Sequence, residues 1–418
     1  MIPIVEFQGG IHLNRTDAVT KLANIIKDYR KDELRIKLDA DPVEKWLSQF
    51  TPENQEIVLT ETLHVFDSWY FDDNKIDDML DSMVDCLCKK YDVKRTSELF
   101  KIVSFVNIQE DGASQNFLLS RLIDRIGEQY AVSVRTDIRE DISHYVYLDD
   151  GLYTGKRARK DLADCLYSLH PNTDVDAFYI VAGTQGLQYV KGLAYKLAKE
   201  LNISLKINAW KLIYNNKSID RVFHHNQLEE SYEKNQFCLW PLQSTNEKIN
   251  AYYEHIKTLG NNYEKCAYRT SPWRNDKGIF TSAQNREIVE TEFLIRGIEI
   301  LEKINDNKGL YPLGFSLWPS FGFGSFCAFN MNISNSCPLV LWWGNLEKNG
   351  SVLDDWYPLL PRRTNAETEE NHNALNWEDE NEDTMTKDQY NMCPDCYCYF
   401  GIERDGGNGY CIDCAWRH

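Results

Sequence analysis

Residues 145–157 read YVYLDDGLYTGKR: an apolar run, two adjacent carboxylates, a turn with glycines at 151 and 155, then a helix that opens on cations. Asp149 and Asp150 can only accept hydrogen bonds when ionised, which suits the two vicinal hydroxyls of a ribose. They can also help to hold Mg2+, directly or through water. Gly151 and Gly155 permit turn conformations that other residues resist and let backbone approach a ligand. Thr154 offers a hydroxyl to a phosphate oxygen. The helix start itself leaves N–H groups unpaired and carries partial positive charge, a natural seat for phosphate. Lys156, Arg157, Arg159 and Lys160 oppose that dipole by about 0.3–1 kcal/mol each when exposed, and a bound anion reverses the sign. The competing readings are a solvated basic face screened by salt and an ordinary strand–helix turn.

A second constellation sits in the tail, CPDCYCYFGIERDGGNGYCIDC. Cys393-x-x-Cys396 and Cys411-x-x-Cys414 are two pairs at the separation of a tetrahedral thiolate site, so Cys393, Cys396, Cys411 and Cys414 are the expected ligands of a structural Zn2+. So few apolar residues surround them that metal binding must supply the folding energy. Cys398 and His418 are spare ligands; redox or fortuitous cysteines are the alternative. The other seven of the twelve cysteines are scattered through apolar contexts and read as reduced core residues.

GLYTGK lacks a spacer and the Ser or Thr of a P-loop, and VAGTQG is G-x-x-G rather than a dinucleotide fingerprint. Arg286 and Glu290, at i and i+4 with Glu292 nearby, fit a helix-surface pair better than a polar site. Asn332, Asn335 and Trp342–Trp343 could line a second pocket, with packing the simpler role for the tryptophans. His224–His225 could act as a metal or acid–base pair, although isolated histidines are usually neither.

The elements that must position the first constellation alternate. KIVSFVNI, HYVYL, DAFYIVAGT and SLKINAWKLI read as strands, and QNFLLSRLIDRI, KRARKDLADCLYSL and GLQYVKGLAYKLAKEL as helices between them. That order predicts a parallel sheet with right-handed crossovers, whose ligands bind at the carboxyl ends of the strands. EDGAS and DDGLYTG both fall at that edge. The predicted fold class is α/β: a parallel-sheet, Rossmann-like domain over 96–235 after a helical N-terminal region, 1–95. An α+β C-terminal domain, 236–365, an acidic linker, 366–390, and a zinc ribbon, 391–418, complete the chain. In the N-terminal region Asp41, Pro42 and Glu44 read as a capping box, Thr51 and Pro52 as a second helix start, and Trp46 and Phe50 as core anchors. Ser282 reads as the cap of SAQNREIVETEFLIRGIEILEKI. PLGFSLWPSFGFGSF predicts short strands and close backbone packing.

A formal charge of −18 argues against nonspecific coating of nucleic acid. No apolar run reaches bilayer length, and MIPIVEFQGG has no signal-peptide pattern, so a cytoplasmic location without membrane partners is expected.

YVYLDDGLYTG resembles the phosphoribosyl pyrophosphate motif of type I phosphoribosyltransferases: a hydrophobic strand, two acids, three variable residues, then Thr-Gly. FVNIQEDGASQNFLLSRL stands where that family has its pyrophosphate loop, and the likeness covers roughly residues 96–230. The resemblance implies that Asp149 and Asp150 hold the ribose hydroxyls at the reacting centre. It implies that Gly151, Leu152, Tyr153, Thr154, Gly155 and Lys156 wrap the 5′-phosphate, and that Glu110, Asp111, Gly112, Ala113 and Ser114 lie beside the pyrophosphate, with Mg2+ carried by the substrate. EDGAS has no Lys or Arg, so its two acids need magnesium to bridge them to pyrophosphate. WLSQF, IFTSAQNREIVETEFLIRGIEIL, PLG, GFG and CPLVLWW extend a resemblance to phosphoribosyltransferase-like effectors of bacterial conflict and anti-phage, retron-type systems. That implies partners such as a reverse transcriptase–RNA complex. The expected function is transfer or hydrolysis of the ribose phosphate of phosphoribosyl pyrophosphate. The alternative is a non-catalytic phosphoribose sensor that docks partners through its zinc ribbon.

Overall fold

The structure is a computed structural model and describes residues 5–6, 12–109, 113–215, 238–259, 267–269, 277–304, 309–316, 320–347, 355–362, 390–392 and 399–401. Its first elements are strands β1 (Val5–Glu6) and β2 (His12–Leu13) and helices α1 (Arg15–Ile26), α2 (Ala40–Leu47) and α3 (Gln55–Trp69). Strand β3 (Tyr70–Phe71) and helices α4 (Asp73–Lys90) and α5 (Thr96–Ile102) follow. Then come β4 (Val103–Phe105), α6 (Ser114–Tyr130), β5 (His144–Leu152), α7 (Lys156–Ser168), β6 (Asp174–Gly183), α8 (Thr184–Glu200) and β7 (Ser204–Ile213). The remainder comprises α9 (Glu247–Thr258), α10 (Ala283–Leu301), β8 (Ala328–Phe329), α11 (Leu339–Trp342), β9 (Tyr390–Met392) and β10 (Tyr399–Gly401).

Two compact units form. One joins Met1–Asp72 with Tyr214–Thr384, the other Asp73–Ile213 with Met385–His418. This differs from the expected division into 1–95, 96–235 and 236–365. The reason lies in the side chains: Trp46 and Phe50, 5.0 Å apart by ring centroids, find their partners far along the chain. Phe50 meets Phe293 at 5.8 Å and Trp356 at 5.5 Å. The indoles of Trp46 and Trp356 both donate to Val340 O, at 2.8 and 2.9 Å.

In the unit of 73–213 the sheet order is β4-β5-β6-β7, every neighbouring pair parallel. The strand–helix alternation of the sequence is realised in order, except that KIVSFVNI is cut short: Lys101 and Ile102 end α5 and only Val103–Phe105 is strand. Tyr145, Tyr147, Val175, Ala177 and Tyr179, spaced two apart, turn to one face and bury against Ala158, Leu162, Cys165 and Leu166 of α7 and Val190 and Ala194 of α8. One expectation changes here: β5 does not stop at Leu148. Its pairing with β6 continues through Asp149↔Tyr179, Gly151↔Val181 and Leu152↔Ala182, so the acids lie on the strand and only 153–155 turn. Helix α4 docks on α6 by an ion-pair ladder, Arg121 to Asp73 and Asp77, and Arg125 to Asp77 and Asp81. Isolated exposed pairs contribute about 0–1 kcal/mol; sharing Asp77 makes this a network.

In the other unit the caps are redistributed. Asp39, not Asp41, caps α2, and Glu44 instead pairs with Arg15 at 2.6 Å. Thr51 makes no side-chain cap; Glu292 of α10 accepts from its backbone N–H at 3.2 Å and from Asn54 Nδ2 at 2.7 Å. Ser282 does cap α10, accepting from the N–H of Asn285 at 3.0 Å. The glycine-rich segment packs backbone on backbone as expected: Gly314 has φ +100°, and a Cβ there would meet the carbonyl of Cys337 at 2.5 Å. Arg286 and Glu290 are no surface pair. Both are fully buried, joined at 2.8 Å, and Glu290 also accepts from Trp240 N at 2.8 Å and Arg269 Nη2 at 3.2 Å. Trp342 and Trp343 are buried packing residues, the former donating to Cys337 O at 2.8 Å.

β9 and β10 pair antiparallel, Met392 opposite Tyr399. Cys393, Cys396, Cys411 and Cys414, and His224–His225, lie outside the described residues, as does the acidic stretch 366–389. Among the described residues no helix is long and apolar enough to cross a membrane.

Candidate functional site

Three helices of the sheet unit begin where the strands end. Ala113, Gly155 and Gly183 hold the N-cap positions of α6, α7 and α8, and none makes a side-chain cap. Elsewhere Asn14, Asp39, Asn246 and Ser282 cap their helices, while Asn54 before α3 and Arg95 before α5 do not. No N-cap side chain thus covers the starts of α6, α7 and α8 at the carboxyl edge of the sheet, although in α6 the N–H of Gln115 donates to Gln109 Oε1 at 3.4 Å; a helix start at such an edge suits a phosphate. Gly155 adopts φ +88°, a left-handed conformation that lets the chain enter α7 directly from the turn.

The turn rests on α8. A Cβ on Gly186 would lie 2.1 Å from Tyr153 O and 3.0 Å from Gly155 N, and a Cβ on Gly155 would lie 2.9 Å from Gly186 O. Only glycine at 186 admits the 153–155 turn this close, so the G-x-x-G of VAGTQG serves as a seat for the neighbouring loop. The Tyr153 ring folds over Gly151, where a Cβ would meet Cε2 at 2.5 Å. Leu152 is packed into the core and offers the site only its backbone; Thr154 and Lys156 are half-buried.

Asp149 shares the strand face of Tyr145 and Tyr147, so its carboxylate turns toward α7. It is 4% exposed and accepts four hydrogen bonds. Oδ1 takes Ser114 Oγ at 2.7 Å and the N–H of Asp150 at 2.9 Å; Oδ2 takes Gln109 Nε2 at 2.9 Å and the Tyr147 hydroxyl at 3.1 Å. These bonds fill its acceptor capacity, so Asp149 organises the site from within. Asp150 keeps partial exposure. Protein atoms crowd its carboxyl, and burial first, then the charge of Asp149, push its pKa well above the usual carboxylate range.

The network reaches two residues with no motif in the sequence. Gln109 Nε2 also donates to Asp161 Oδ2 at 2.8 Å, and Asp161, 4% exposed, holds Arg157 Nε at 2.9 and 3.0 Å. Burial raises the Asp161 pKa despite the opposing charge of Arg157, and burial beside Asp149 pushes the Tyr147 hydroxyl up as well. The available signal was a charge inside an apolar stripe, since Ala158, Asp161, Leu162 and Cys165 share one face of α7. Gln115, fully buried, ties the ends of the loop between β4 and α6, accepting from the N–H groups of Ile108 and Gln109 at 2.9 and 3.1 Å. The residues flanking this loop, Gln109 and Ser114, both touch Asp149. Glu110, Asp111 and Gly112 lie outside the described residues.

Asp149 and Asp150 lie at the carboxyl edge of a parallel sheet next to the start of α7, on the strand rather than in the turn where the sequence placed them. A family model, PRTase-CE, matches residues 43–362. The chain belongs to the PRTase-CE family. The match spans most of the chain and both units, well beyond the 96–230 expected from the resemblance to type I phosphoribosyltransferases. This PRTase-CE protein is phosphoribosyltransferase-like, with a mixed α/β, Rossmann-type parallel sheet. No curated protein and no solved structure matches the chain.

Proposed function

We propose that this protein binds phosphoribosyl pyrophosphate, or a closely related phosphorylated ribose, at the carboxyl edge of β4, β5 and β6. We further propose that it transfers the ribose phosphate to an acceptor or to water with release of pyrophosphate. The observation that supports the reading is the meeting of the starts of α6, α7 and α8 at the Asp149–Gly155 segment: Ser114 bonds Asp149, α7 follows Gly155, and Gly186 lies against the 153–155 turn. The α7 start and the 153–155 turn receive the 5′-phosphate through backbone N–H groups and Thr154. Asp150 meets the ribose hydroxyls, and Asp149 fixes the N–H of Asp150 and Ser114 in place. Catalysis in such a site comes from holding the phosphates and stabilising positive charge that develops on the ribose carbon.

Magnesium fits only part of the acid pair. Asp149 has no acceptor capacity left for a metal, whereas the crowded, charge-averse carboxyl of Asp150 gains from a nearby cation. Bound there with the substrate's oxygens, Mg2+ would neutralise the phosphates. The tail cysteines are proposed as a structural zinc site; what supports it is their spacing and the β9–β10 hairpin, whose strands bracket residues 393–398 in the sequence. The proposed setting is the cytoplasm and anti-phage defence, with retron-type partners such as a reverse transcriptase–RNA complex, resting on the wider sequence layout.

One observation favours a second reading, a sensor that binds phosphoribose without chemistry: the inward, saturated carboxylate of Asp149. Incubation of the full chain with labelled phosphoribosyl pyrophosphate and Mg2+, with and without cell extract, separates the two. Release of pyrophosphate that D150N abolishes supports the enzyme. Tight binding with no release supports the sensor, and no binding by the wild type refutes both.

A further inference from the structure

Arg157 is the second residue of α7, and its Nε donates to both carboxylate oxygens of Asp161. A guanidinium carries five N–H donors in one rigid plane. Here only the Nε–H is engaged; among the described residues Nη1 and Nη2 have no partner. The Arg157 side chain is 53% exposed and that of Asp161 5% exposed, so the anchor is buried while the fork stands in solvent. An ordinary i, i+4 pair leaves both partners free to move. This one does not, because Asp161 is itself held by Gln109 on the same Oδ2 and lies 3.5 Å from the Tyr147 hydroxyl. The guanidinium is thereby fixed beside Gln109, where β4 leads into the loop toward α6, rather than swept along the helix surface.

Charge gives this placement a use. Asp149, Asp150 and Asp161 put three carboxyls around the corner between β4 and β5, and a diphosphate brought there meets repulsion unless a cation faces it. A planar fork pinned through Nε leaves two parallel donors, the geometry that phosphate oxygens accept in pairs. We propose that Arg157, aimed by Asp161, grips the diphosphate end of the phosphoribose ligand, with Asp161 as its positioning residue. The inference rests on the phosphoribose reading above and assigns a residue that the turn motif does not contain.

Calorimetry on the full-length chain in Mg2+ tests it with three probes: phosphoribosyl pyrophosphate, inorganic pyrophosphate and ribose 5-phosphate. R157M is expected to weaken the first two by roughly ten- to hundredfold, the span of a charge-assisted hydrogen bond, and to leave ribose 5-phosphate within about twofold. R157K recovers only part of the loss, since a point charge cannot reproduce the fork. D161N shows the same selectivity in smaller measure, which a general loss of structure would not. If the wild type binds all three probes and R157M binds pyrophosphate unchanged, or loses ribose 5-phosphate equally, the assignment of Arg157 is overturned alone. If the wild type binds none of them, the phosphoribose reading falls and this inference with it. Because Arg157 is half exposed, R157M is expected to melt close to the wild-type temperature.

Discussion

Replacing Gly186 by alanine tests whether the seat under the 153–155 turn sets the affinity for the proposed ligand. The added Cβ would stand 2.1 Å from Tyr153 O, 2.9 Å from Thr154 C and 3.0 Å from Gly155 N, all of them backbone. Ordinary contact begins near 3.4 Å, so the turn or the start of α8 must retreat by about 1.3 Å. No flexible side chain can absorb this. Overpacking of this kind costs about 1–3 kcal/mol, and a 1 Å displacement of positioning groups can cost roughly a hundredfold in a rate or affinity that depends on them. G186A is therefore expected to fold, to lose about 1–3 kcal/mol in urea unfolding, and to bind phosphoribosyl pyrophosphate roughly a hundredfold more weakly. Wild-type binding by G186A at unchanged stability would refute both the contact and the role of the turn.

Three further outcomes are expected. D150N should be more stable than the wild type at pH 7.5, by about 0.5–2 kcal/mol, while losing ligand binding. The folded-state pKa of Asp150 is raised by burial and by Asp149, so its favourable contribution is complete below the unfolded value near 3.9 and is lost as the pH rises through the folded one. The gain should thus shrink toward zero in urea titrations near pH 4, and a D150N protein less stable than wild type at pH 7.5 would contradict the crowding. E290A leaves the guanidiniums of Arg286 and Arg269 buried without their shared carboxylate and should cost about 3–5 kcal/mol by denaturant unfolding; a cost under about 0.5 kcal/mol would fit only an exposed helix pair. Purified full-length protein should carry one zinc per chain by elemental mass spectrometry, and C393S with C396S should remove it; retained stoichiometry in that variant excludes the four-thiolate site.

Periodicity carried the sheet unit. Strands such as HYVYL and DAFYIVAGT and helices such as KRARKDLADCLYSL appear where their apolar spacing puts them, because a strand–helix alternation has few ways to bury itself. Partners set by distant residues were beyond that reach. Asp149 and Asp150 read as turn residues because glycine follows them, but β6 keeps pairing with β5 past them. Glu290 read as a surface residue because only Arg286 was visible at helical spacing, whereas Trp240 and Arg269 complete its burial from other segments. Thr51 does not cap: its N–H is held by Glu292, over two hundred residues away, and its hydroxyl accepts from Arg296. Asp161 and Gly186 carry no motif: one is legible only as a charge among core residues, the other only once the Tyr153 carbonyl above it is seen.

The two units also differ in when the ribosome can complete them. The strands of the sheet are all in hand once Ile213 has been made, whereas the core that joins Trp46 and Phe50 to Phe293 and Trp356 needs chain as far as Trp356. At about 5–20 residues per second, that interval lasts roughly 7–30 s. The N-terminal aromatics are thus translated first and buried last, an order that gives a nascent-chain chaperone a defined stretch to shield.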